Sequence, residues 1–146
     1  MKANIKISEV EYDDIVNLFS TALYGNSSFG CEYTREQRNK YKANEEDCYE
    51  DIIAKILLGG GEVKVIDCFA ESEDDIYGNN PSVYWDDDYE HMVYPITLND
   101  VINGLELAAN NGQSERVMKV MNDDPSFDMI DADILMQFIC YGDIIY

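Results

Sequence analysis

Positive charge is what this chain has least of. From Val65 to Glu115 there is no Lys and no Arg, and the whole sequence sets 10 bases against 30 acids, a net charge of -20 on 146 residues. The deficit is lopsided. Residues 1–64 hold 12 acids and 8 bases, whereas residues 65–146 hold 18 acids and 2 bases, Arg116 and Lys119. A surface of one sign repels itself and weakens the compact state, so ordinary domains intersperse the two. A stretch like this implies a compensating benefit, and a strongly basic partner would supply one. Adaptation to high salt would spread the acids evenly and avoid Lys, but Lys2, Lys6, Lys40, Lys42, Lys55 and Lys64 crowd the first half.

Other absences narrow the function. No apolar run approaches the 18 or so residues of a membrane span. Glu9, Glu11, Asp13 and Asp14 stand where a secretory signal would place its apolar region, so a cytoplasmic protein is expected. The net charge opposes anionic lipid surfaces and direct nucleic-acid binding. The spacings of Cys31, Cys48, Cys68 and Cys140 match no zinc pattern. In a reducing compartment they read as free thiols, with Cys68 and Cys140 buried among apolar neighbours. His91 is the single histidine, and no nucleophile, metal or phosphate-loop motif accompanies it. Gly59-Gly60-Gly61 follows a predicted helix and precedes a predicted strand, the reverse of a phosphate loop. No catalytic residue and no cofactor is therefore expected.

What is present suffices for a core. Hydrophobic residues make up 46% of the chain, and 11 are Tyr, so the charge does not imply disorder. The length fits one domain over residues 1–146. Ile5 and Ile7 alternate in a predicted strand over 3–8. Ser8 and Glu11 have capping-box spacing before a predicted helix over Glu9–Tyr24 that stops at Gly25. Residues 25–43 read as irregular, with a short helix in the basic run Thr34–Lys42. Asn44 and Asp47 begin a helix whose stripe is Tyr49, Ile52, Ile53, Ile56 and Leu57. Glu62–Ala70 reads as a central strand, with Val63, Val65 and Phe69 on one face. Val83-Tyr84-Trp85 is a short strand and His91–Ile96 another, with Pro95 suggesting a sheet edge. Thr97 with Asp100 caps a helix carrying Leu98, Val101, Ile102, Leu105 and Ala109. Asn110-Asn111-Gly112 is a turn, Ser114–Met121 a helix, and Asp128 with Asp131 opens the last helix, which Gly142 ends. The order predicts an α+β fold: a small, mostly antiparallel sheet with about five helices packed on one face.

Residues 71–90 interrupt the sheet as an acidic insertion. Glu71, Glu73, Asp74, Asp75, Asp86, Asp87, Asp88 and Glu90 supply charge, and Tyr84, Trp85 and Tyr89 supply aromatic area. If extended, Asp86 and Asp88 would point the same way roughly 6.6 Å apart. A DNA strand presents a phosphate about every 3.4 Å of rise. Lys and Arg that read phosphates would accept such carboxylates, and aromatics would anchor the contact. These eleven residues are the expected partner-binding site. Clustered carboxylates also suit calcium, although Glu73–Tyr84 fails the EF-hand ligand pattern, which leaves Asp86, Asp87 and Asp88 as the alternative cation site.

Size, acid excess and acid-aromatic mixing resemble the small acidic counter-defence proteins of phages and mobile elements, including DNA-mimic anti-restriction and anti-CRISPR proteins. The resemblance covers the class and no motif. It implies a non-enzymatic inhibitor of a bacterial defence nuclease or CRISPR-type surveillance complex, acting in the host cytoplasm, with a homodimer as an option. An immunity protein or antitoxin against a basic toxin would use the same physics.

Overall fold

The computed structural model describes residues 4–24 and 28–146. Its elements are α1 (Tyr12–Tyr24), β1 (Phe29–Glu32), α2 (Arg35–Lys40), α3 (Tyr49–Leu58), β2 (Val63–Asp67), β3 (Tyr84–Asp86), β4 (His91–Ile96), α4 (Leu98–Ala108), α5 (Ser114–Met121) and α6 (Met129–Tyr141). The sheet runs β1-β2-β4-β3, and every neighbouring pair is antiparallel. This is the expected α+β fold: five helices of eight residues or more, the shorter α2, and a four-stranded sheet packed against helices.

Register decides which side of the sheet meets the helices. Cys31, Val65 and Tyr94 lie side by side, as do Phe29, Asp67, Met92 and Trp85, and Val63 pairs with Ile96. All are buried except the half-buried Trp85, and all but Asp67 belong to or pack on one core with Ile15, Leu18 and Phe19 of α1, Ile53 and Ile56 of α3, and Leu135 of α6. Alternate residues face outward, where Glu32, Lys64 and Tyr84 are exposed. Burying these apolar rows contributes about 25 cal/mol per Å² removed from water.

Several boundaries differ from the expectation, each for a local reason. The described residues of the predicted 3–8 strand pair with no strand. The Asn110 side chain brackets Ile5, accepting from its N–H (2.7 Å) and donating to its carbonyl (2.9 Å), and Glu106 accepts from the Ile7 N–H (2.9 Å). Helix α1 starts at Tyr12, because Asp14, and not the Ser8–Glu11 pair, closes the cap by accepting from the Glu11 N–H (2.9 Å). The predicted stop at Gly25 lies outside the described residues. Asn44 and Asp47 close a turn, and α3 begins beyond it at Tyr49, capped by Cys48, whose N–H donates to Asp51 (3.1 Å); Tyr49 is exposed. Strand β1 arises where irregular chain was expected.

Pro95 sits in β4, an inner strand, not at an outer edge. It is tolerated because β3 reaches only to Val93, so no strand hydrogen-bonds β4 on that side at Pro95. The Asn80 amide fills part of the gap by donating to the Pro95 carbonyl (2.8 Å). Strand β2 ends at Asp67, so Phe69 and Cys68 leave the sheet and are exposed, whereas Cys140 is buried. All four cysteines are free thiols.

Candidate functional site

Strand pairing gathers the acidic insertion at one end of the sheet. Asp67, the last residue of β2, pairs with Met92 near the start of β4. The exit of β2 and the entry to β4 are therefore adjacent. The loop after β2 and the β3–β4 turn, Asp87–Glu90, emerge there together.

Both loops are built by their own side chains. Asp67 Oδ1 accepts from the Phe69 N–H (2.8 Å) and so turns the chain out of β2. Asp75 accepts from the Glu71 N–H (2.8 Å). The buried Tyr94 hydroxyl accepts from the Tyr77 N–H (3.2 Å), and Asn80 holds Pro95, so β4 anchors the far half of the loop. In the β3–β4 turn, Asp86 Oδ1 accepts from the N–H groups of Asp88 (3.0 Å) and Tyr89 (3.3 Å), and Glu90 closes the turn with φ of 53°. Asp side chains satisfy turn backbones in this way.

The eight acids consequently divide. Asp75 and Asp86 are half-buried and used within the loops, whereas Glu71, Glu73, Asp74, Asp87, Asp88 and Glu90 are exposed. The extended Asp86–Asp88 ladder does not form: both belong to a tight turn, and Asp86 bonds the backbone of Asp88. Nor do Asp86, Asp87 and Asp88 converge as a cation site. Among the described residues, the group of three potential ligands with atoms mutually within 4.8 Å is Cys48, Glu50 and Asp51, at the start of α3. There Asp51 already accepts from Tyr12 (2.7 Å) and the Cys48 N–H. Burial, and then this bond to Asp51, push the Tyr12 phenol well above its usual range.

Among the described residues, no cation pairs with the exposed acids. The ion pairs among the described residues are Lys55–Asp47, Arg116–Asp131 and Lys119–Asp131. Both bases of the acidic half therefore serve Asp131, the buried cap residue of α6. Lys64, on the outer face, lies over the Tyr84 ring at 5.7 Å.

The three expected aromatics have three environments. Tyr89, at the turn, is 73% exposed and stacks on His91, with centroids 5.9 Å apart and an interplanar angle of 10°. Tyr84 lies on the outer face of the sheet. Trp85 points inward onto the core and offers little area to a partner. An apolar patch beside the acidic loop was not expected: the Phe69 and Tyr146 rings lie 5.0 Å apart, tilted by 36°, and both are about half exposed, as is Ile76. Strand alternation concealed Phe69, and nothing local to Tyr146 indicates that the C-terminus returns to this end.

Beneath the patch lies a tyrosine cluster. The Tyr141 ring is 5.9 Å from Phe29, 5.5 Å from Tyr77 and 5.2 Å from Tyr94. Burial, then the charge of Asp67, push the Tyr141 phenol far above its ordinary range. The phenol and Asp67 Oδ2 are both buried, and neither completes a hydrogen bond of good geometry. No helix is long and apolar enough to cross a membrane among the described residues. Comparison with protein-family models, curated proteins and solved structures finds no match to the chain.

Proposed function

We propose that this protein is a non-enzymatic inhibitor that presents carboxylates to the basic, nucleic-acid-binding surface of another protein. One observation carries the reading. Two adjacent loops hold Glu71, Glu73, Asp74, Asp87, Asp88 and Glu90 exposed, and no Lys or Arg among the described residues pairs with them. Such an array attracts Lys and Arg placed to read phosphates, and it accelerates encounter through its long-range field. The turn-bound Asp75 and Asp86 order the loops before binding, which lowers the entropy lost in the complex. Tyr89, Phe69 and Ile76 supply apolar contact within and beside the charge.

The partner class that fits is a nuclease or nucleic-acid surveillance complex of a bacterial defence system, in the cytoplasm, with the protein occupying the groove that DNA would enter. Affinity capture from a bacterial lysate at low salt, eluted with rising salt, tests this. A nucleic-acid-binding protein should elute steeply with salt and should lose DNA binding when mixed with the inhibitor. A combined Asp87→Asn, Asp88→Asn, Glu90→Gln variant should capture at least about tenfold less, the cost of losing charge-assisted contacts. Salt-insensitive capture, or full capture by that variant, contradicts the reading.

A further inference from the structure

A second concave feature lies apart from the exposed acids. The loop following Tyr77 rests against the C-terminal end of α6, and α4 forms the opposite wall of an open groove of about 570 Å³. Gly78 makes the close approach possible. Its φ is +81°, and a Cβ there would fall 2.9 Å from the Tyr141 carbonyl oxygen.

The groove combines four features with one chemical meaning. The Gly142 N–H donates to the Phe138 carbonyl, but among the described residues no hydrogen bond reaches the carbonyls of Ile139, Cys140 or Tyr141. A helix C-terminus carries about half a negative charge, and α6 has no base in its last turn to offset it. Asp100 adds negative charge, partly offset by the N-terminus of α4 in whose first turn it lies. Its Oδ2 caps α4 at Thr97 (2.8 Å), and its Oδ1 takes no hydrogen bond from any described residue. Leu107 gives an apolar wall, while Asn79 and Asn103 give neutral polar groups, and no Lys or Arg among the described residues lines the space.

We infer that this groove binds a guanidinium carried on a methylene stem. A guanidinium offers five donors in a plane, which suits several fixed carbonyls and a carboxylate together. A metal ion would be far smaller than the space, and an anion would meet the wrong end of the helix. The stem would lie along Leu107, as Arg stems do on apolar surface. A protein arginine and a free guanidine compound share this chemistry. The inference stands apart from the proposed inhibitor role, since the groove uses none of the exposed loop acids.

The test is an NMR titration at physiological salt with n-butylguanidinium, with tetramethylammonium as a control of equal charge. Saturable, one-to-one shifts are expected at Gly78, Asn79, Asp100, Asn103 and the Cys140–Gly142 backbone, and not with the control. Asp100→Asn, which keeps an acceptor for Thr97, should weaken binding about tenfold. Leu107→Arg places a competing guanidinium in the groove and should abolish the shifts. Equal binding of N-acetyl-arginine methylamide assigns the groove to a protein side chain, and binding of butylguanidinium alone assigns it to a free guanidine; either result upholds the inference. Shifts spread over Glu71–Asp75 and Asp87–Glu90, or matched by tetramethylammonium, reduce it to counterion condensation and overturn it. That result would leave the inhibitor reading intact, because partner capture depends on the loop acids.

Discussion

Asp131 combines three tasks in one carboxylate. It closes the cap of α6 by accepting from the Asp128 N–H (3.1 Å), its own N–H donates to Asp128 (2.9 Å), and it receives both Arg116 and Lys119. Burial raises its pKa, but the backbone bond at Asp128, then Arg116 and Lys119, outweigh burial and hold it below 3.8. A carboxyl lowered by folding stabilises the protein above its unfolded pKa, and that stability is lost as pH falls through the folded value. Urea titrations should therefore show wild-type stability dropping below about pH 4. Asp131→Asn should cost about 2 kcal/mol at pH 7 and flatten that acid limb. An unchanged limb would show that other carboxyls govern it. Tyr94→Phe removes the acceptor for the Tyr77 N–H and should cost about 1–2 kcal/mol in the same assay. It should also speed amide exchange at Tyr77, whereas no exchange change would mean that the loop has other anchors.

Helix ends and crossings depend on single residues. The boxes Thr97–Asp100 and Asp128–Asp131 are closed as their sequence spacing implies, because both partners lie within one turn. The same spacing at Ser8–Glu11 and Asn44–Asp47 does not start a helix. Asn44–Asp47 forms its bond and closes a turn, whereas Ser8–Glu11 forms none because Asp14 takes the Glu11 N–H, so spacing alone fixes neither the bond nor the helix. Tyr49 likewise satisfies the periodicity yet remains exposed. The α4–α6 crossing depends on Gly104, where a Cβ would sit 2.5 Å from the Ile139 Cα. Gly104→Ala should lower stability by about 3 kcal/mol, read as a fall in Tm, because backbone rather than a movable side chain blocks the methyl. A fall below about 1 kcal/mol would mean that the helices can separate without loss.

Electrostatic self-repulsion acts across the whole molecule. With a net charge of -20 and few ion pairs, the folded state concentrates charge that the unfolded chain disperses. Salt shortens the screening length from about 30 Å at 0.01 M to about 8 Å at 0.15 M. Tm should rise over that range of sodium chloride, and a flat or falling Tm would exclude repulsion as a significant cost. The Asp87→Asn, Asp88→Asn, Glu90→Gln variant should raise Tm at low salt while weakening partner capture, trading recognition for stability. If the variant is less stable, the turn acids have a structural role instead.

Read along the chain, the residues already imply the α+β class, the central position of β2, the extent of β4 and α5, and the concentration of acid between Glu71 and Glu90. These rest on composition, periodicity and caps, which are local. Closure of the core set the rest: the two acidic loops leave the sheet side by side, Trp85 faces the core, and Tyr146 returns to Phe69. It also brought Gly78 and Asp100 to the end of α6. Each of these is a contact between residues distant in sequence or a choice of strand register, and pairing strands fixes such relations only when the whole core closes.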